Sequence, residues 1–211
     1  ALTDIVEHTR LYGVRRVHFV LSAAPSPPCP RPPRTPERGH LCPPVLFRCI
    51  VIVMKSRVYV ETSVVSFYHE VRTEPDMIAR REWTRRFWVL AEEEYTLLSS
   101  PAVVEELEQG EFPNQEAMLE LVSTLTVLPI DERIGLIIDS YISNMVMPSD
   151  PRGDALHLAL ASYHKCDFLL TWNCKHLANA NKFGHIREIN GRLGLYVPLL
   201  VTPLELLGES V

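Results

Sequence analysis

Apolar and polar positions change period several times along this chain, and each change marks an element. From Ala155 to Tyr163, Leu156, Ala159, Leu160 and Tyr163 recur at helical spacing, whereas Phe168 to Trp172 is uninterrupted and apolar, the pattern of a strand buried on both faces. Arg57 to Val60 and Tyr95 to Ser99 also predict strands. Leu125 to Ile130, Phe168 to Thr171 and Tyr196 to Val201 complete the strand set. Between them the spacing predicts a long helix over Asp76 to Glu94 and a second one in SPAVVEELEQG, with Ser100 as its cap, Pro101 in its first turn and Gly110 at its close. Further helices are expected over Asn114 to Ser123, Asp131 to about Met145, from Asp154, and over most of Asn173 to Gly191. Strands alternating with helices imply an α/β sandwich around a parallel sheet.

Composition adds a boundary. Nine of the 17 prolines fall in residues 25–44, a run that excludes helix and sheet ladders and predicts extended chain. Residues 1–53 are therefore expected to be a disordered leader, and 54–211 the folded domain, with Met54 as a candidate start. Neither VHFVLSAA nor CIVIVM is long enough to span a bilayer. The five cysteines have no CxxC spacing, which supports neither a zinc module nor a disulfide framework, and a reducing cytoplasm is the expected compartment. Net charge is −5, with a basic leader and an acidic domain. Such a domain attracts a polyanion only locally or through metal ions.

The polar residues that this topology brings to one end of the sheet are few. Glu61 and Asn173 follow strands; Glu106 lies on the helix after the second strand, and Asp154 in the first turn of another. Glu105 points about 100° away from Glu106 and faces elsewhere. Clustered carboxylates repel unless they share a proton or a cation, and oxygen ligands without a His/Cys set suit Mg²⁺ or Mn²⁺. Such an ion activates water for in-line displacement at phosphorus. Acids at helix N-termini also serve as ordinary dipole partners.

The segments VYVETSVVSF, SPAVVEELEQG, GDALHLALA and DFLLTWNCKHLANA, followed by VTPLEL, resemble the PIN-domain family, and within it the VapC-type toxins of type II toxin–antitoxin systems. The resemblance covers Met54 to Leu207. It implies a three-layer α/β/α sandwich with a mostly parallel central sheet and a Mg²⁺- or Mn²⁺-dependent ribonuclease that leaves 3′-hydroxyl and 5′-phosphate ends. It also implies neutralisation by a cognate antitoxin protein and a homodimer, for which the helix carrying Trp83 and Trp88 offers candidate contacts. Matched motif by motif, the family's metal-ligating catalytic acids fall on Glu61, Glu106 and Asp154, with Asn173 in the fourth position as an auxiliary oxygen ligand. Glu61 stands where aspartate is usual, and Asn173 where a fourth acid is usual.

Around these lie residues with two readings each. Thr62 and Ser63 either cap a helix or orient the first acid. His157, one turn after Asp154, either orients a carboxylate, meets a phosphate or is a hydrogen-bonded core histidine. Trp172 either stacks on a base or belongs to the core. Arg80, Arg81, Arg85 and Arg86 either touch phosphate or an acidic partner, or form a solvated face. Two rivals to the nuclease remain: a catalytically weak PIN-fold module acting through a protein partner, kept open by Asn173, and a phosphoryl-transfer protein with an aspartyl nucleophile, which lacks a DxD pair after the first strand.

Overall fold

A computed structural model describes residues 9–12, 15–23, 47–148, 150 and 152–207, with side chains from Met54 onward. The chain divides into two units, Ala1–Lys55 and Ser56–Val211. In the first, strands β1 (Thr9–Tyr12), β2 (Arg15–Ala23) and the opening of β3 (Phe47–Val60) pair antiparallel, Thr9 opposite His18 and Arg15 opposite Lys55. The proline run expected to be extended, residues 25–44, lies outside the described residues.

The second unit is an α/β sandwich. Its sheet holds the end of β3, β4 (Tyr95–Ser99), β5 (Thr126–Val127), β6 (Phe168–Leu170) and β7 (Leu199–Val201). All five are parallel, in the order β5–β4–β3–β6–β7. The centre of this order is the most apolar: Val58, Tyr59, Val60, Leu169 and Leu170 have no exposed surface. Burying each of these leucines stabilises the fold by about 1.5–3 kcal/mol. Asp167 sets the register at the sheet's other end, its carboxylate accepting from Arg57 N at 2.8 Å while Asp167 N donates to Arg57 O at 2.8 Å.

Helices α1 (Thr62–Tyr68), α2 (Pro75–Glu94), α3 (Pro101–Gln109), α4 (Gln115–Ser123), α5 (Glu132–Ser143), α6 (Asp154–Tyr163), α7 (Ala180–Leu193) and α8 (Pro203–Leu206) complete the sandwich. α1 packs against α2, α3 and α4, and α5 packs against α6. Seven of the ten residues of α6 are buried, which explains its near absence of polar side chains beyond Asp154 and His157. Buried Asn190 ties three helices together: it accepts from Tyr141 Oη at 2.6 Å and donates to Ser162 Oγ at 2.9 Å.

Several boundaries differ from the sequence expectation. Only Thr126–Val127 of LTVLPI pairs, because that segment meets a single neighbour, β4, at the sheet's margin. Within Asn173 to Gly191, expected to be mostly helical, Asn173 organises a turn and the helix begins at Ala180. It ends at Gly194, whose φ of +66° makes the left-handed cap that a side chain would strain. Gly110 ends α3 for another reason: a Cβ there would lie 2.1 Å from the Phe112 ring. Ser100 precedes α3 as expected but makes no side-chain cap bond. On α2, the helix expected to offer dimer contacts, Trp88 is buried and Trp83 stacks on Trp172 at 6.1 Å. The exposed apolar residues of that helix are Ile78, Val89 and Leu90. No helix among the described residues is long and apolar enough to cross a membrane.

Candidate active site

The carboxyl ends of β3, β4 and β6 lie side by side, and the residues just past them converge. Glu61 follows β3 in extended conformation and keeps its N–H on Leu170 O at 3.1 Å. That bond prolongs the β3–β6 ladder by one residue and fixes where the Glu61 side chain starts. Its Oε2 accepts from Thr171 Oγ1 at 2.8 Å and from Ser63 Oγ. Glu106, in the second turn of α3, accepts from Thr62 Oγ1 on Oε2 and meets His157 Nε2 through Oε1 at 3.1 Å. Both hydroxyls that follow Glu61 therefore hold carboxylates. Neither caps α1.

One ligand atom each from Glu61, Glu106 and His157 lie within 4.8 Å of one another. His157 is 1 % exposed, and its second ring nitrogen meets Tyr59 Oη at 2.9 Å. Tyr59 in turn bonds Ser100 Oγ at 2.7 Å. The hydroxyl expected to cap α3 thus closes a chain, buried from Ser100 through Tyr59 to His157 and continuing to half-buried Glu106 and to Thr62. With Nε2 donating to Glu106, His157 is a positioning residue for that carboxylate. This settles its position in the core and its orientation of an acid together.

Asp154 and Asn173 form a second pair, outside that set. Asn173 Nδ2 donates to Asp154 Oδ1 at 2.7 Å, and Asn173 Oδ1 accepts from Lys175 N at 3.2 Å and His176 N at 3.1 Å. The two backbone donors require an oxygen at that position, so the amide turns its NH₂ toward Asp154. Asn173, expected to supply an oxygen to a metal, supplies here a hydrogen bond that aims Asp154. Trp172 is 7 % exposed, with its indole N–H on Thr84 Oγ1 at 2.8 Å, and belongs to the core. Glu105 faces outward toward Gln109 and Arg152.

The electrostatics follow from this crowding. Burial pulls the His157 pKa down, but the hydrogen bond to Glu106 and the charges of Glu61, Glu106 and Asp154 outweigh it and raise the pKa above its ordinary value. Burial pushes Glu106 up, and the His157 hydrogen bond and charge, with Thr62, bring it below its ordinary value. Tyr59, enclosed on all sides, is raised by burial and stays a neutral hydroxyl.

Two carboxylates fixed by hydroxyl and imidazole donors are a donor set that suits a hard divalent cation, and the charge of Asp154 also reaches His157. Sequence reasoning missed Tyr59, Ser100 and Thr171. A hydroxyl inside an otherwise apolar strand was the available signal for Tyr59, because a buried phenol needs a partner.

Fold and site together define an α/β sandwich with a Glu61–Glu106–His157 cluster beyond the carboxyl ends of its central strands, the usual ligand position in parallel sheets. No family model matches the chain, and no curated protein matches it.

Proposed function

We propose that this chain is a divalent-metal-dependent endoribonuclease of the PIN type, the toxin of a toxin–antitoxin pair. The observation that carries the proposal is the convergence of Glu61, just past β3, and Glu106, on the helix that follows β4, each held by a hydroxyl from the start of α1. Two carboxylates this close repel unless a cation or a proton is shared among them, and a divalent ion would add to what His157 supplies.

Glu61, Glu106 and Asp154 would hold Mg²⁺ or Mn²⁺. When bound, the ion supplies positive charge to the scissile phosphodiester and lowers the cost of ionising a water. The chain's own residues set the geometry. Ser63 and Thr171 fix Glu61, Thr62 and His157 fix Glu106, and Asn173 fixes Asp154. Water adds to phosphorus and the P–O3′ bond breaks, giving 5′-phosphate and 3′-hydroxyl ends. The proposal includes a cytoplasmic location, a cognate antitoxin that masks the pocket, and a homodimer.

One observation favours a second reading, a binding module with little turnover: the fourth position carries an amide whose oxygen is committed to backbone N–H groups. Cleavage of a mixed RNA substrate by the full chain, with and without Mn²⁺, separates the two when Asp154→Asn is run beside it. Metal-dependent cutting that disappears in the variant supports the nuclease. Cutting that survives chelation or the substitution refutes it, and metal binding with no cutting selects the module.

A further inference from the structure

Arg80 differs from the other α2 arginines whose contacts are known. Arg81 engages Glu82 at 3.2 Å and Glu70 O at 3.3 Å, and Arg85 donates to Tyr68 O at 3.0 Å. Arg80 lies over the rings of Phe67 and Trp172, 5.3 and 5.5 Å from their centroids. Among the described residues its guanidinium meets no carboxylate or carbonyl. Its backbone is tied to the same tryptophan: Thr84 Oγ1 donates to Arg80 O at 2.7 Å and accepts from Trp172 Nε1.

Trp172 is also an arm of the acidic site. Its backbone N–H donates to Ser63 Oγ at 2.8 Å, and Ser63 holds Glu61. The Arg80 guanidinium is thus stacked on the same residue whose backbone anchors Ser63, and through it Glu61. A guanidinium stacked on aromatic rings is planar, only partly hydrated and already oriented for two parallel hydrogen bonds to phosphate. The charge balance adds a reason. A chain of net charge −5 needs a local cation to retain a polyanion beside its carboxylates.

We propose that Arg80, held on Trp172 and Phe67, binds a backbone phosphate of single-stranded RNA adjacent to the phosphate placed at Glu61 and Glu106. This rests on the nuclease reading, and the experiment separates the two. The full chain is titrated into a fluorescein-labelled single-stranded oligoribonucleotide with Ca²⁺ as the divalent ion, followed by anisotropy over a series of salt concentrations. Gel analysis confirms that the RNA stays intact. Each phosphate contact adds about 0.7 to the salt slope for single strands.

Arg80→Met, which keeps packing on the rings, is expected to bind about tenfold more weakly and with a slope smaller by about 0.7. Arg80→Lys should retain the slope and recover part of the affinity, while Arg81→Met should keep the wild-type slope. If Arg80→Met does not fold, Arg80→Gln gives the same reading. An unchanged slope on loss of the Arg80 charge overturns the proposal, as does an equal loss in Arg81→Met, which would assign binding to bulk helix charge. The first of these results alongside intact metal-dependent cleavage removes Arg80 and leaves the nuclease standing. Wild-type protein that neither binds nor cuts RNA removes both.

Discussion

Asn173 gives its amide hydrogens to Asp154 Oδ1 at 2.7 Å while its oxygen receives the N–H groups of Lys175 and His176. One side chain thus shapes the turn after β6 and aims an acid on α6. An aspartate could accept the two backbone hydrogen bonds equally well but would set a second negative charge against Asp154. Asn173→Asp is expected to destabilise the chelated protein by about 1–3 kcal/mol, from the lost hydrogen bond and the new repulsion. Excess Mn²⁺ should reverse most of that loss. Thermal unfolding of both proteins, with chelator and with Mn²⁺, checks this; a loss that metal leaves untouched would separate Asp154 from any cation site.

Tyr59→Phe removes one oxygen but leaves two buried groups without their partner, His157 Nδ1 and Ser100 Oγ. Water cannot replace it, since Tyr59 and Ser100 have no exposed surface. The expected cost is about 1–3 kcal/mol in urea unfolding. Tyr59→Phe with Ser100→Ala should cost less than the sum of the single changes, because the two hydroxyls satisfy each other. Simple additivity would mean that the chain is not a connected unit.

Ser63 Oγ both holds Glu61 and accepts the Trp172 N–H. Ser63→Ala should lower Mn²⁺ affinity about tenfold or more, as removal of a group orienting a ligand does. Calorimetric titration reads this directly. Ser66→Ala is the comparison: its hydroxyl donates to Ser63 O and, among the described residues, bonds no carboxylate, so affinity should hold.

Away from the site, the bidentate hydrogen bonds of Arg72 hold the Glu70 carboxyl down at about 2, against an ordinary value of 4.5, with burial opposing. A depressed folded-state pKa contributes stability that is complete above the unfolded value and lost as pH falls through the folded one. The Glu70 contribution should therefore persist above pH 4.5 and fade toward pH 2. Carboxyl-detected NMR titration should place the midpoint near 2 in wild type and return it toward 4.5 in Arg72→Ala. A midpoint that stays low in the variant would assign the shift to the backbone N–H donors Val71 and Arg72 instead.

What the sequence determined is the order and type of the elements, and the residues placed at the carboxyl ends of the strands. α2, β4, α3 and α6 fall within a residue of their expected bounds because period, proline and turn residues act locally. Glu61, Glu106 and Asp154 could be named for the same reason: position along a strand or helix decides which end of the sheet a residue reaches. Tertiary structure alone decided the partners. Residues 41 and 98 positions apart meet as Ser100–Tyr59 and His157–Tyr59, and no local pattern encodes those distances. The direction of the Asn173 amide is of the same kind: its oxygen goes to the turn because two N–H groups there need an acceptor, and only then is the NH₂ left facing Asp154. Periodicity places a side chain on a face. Which atom of it meets which partner is set by the unpaired hydrogen-bonding groups that packing brings within reach.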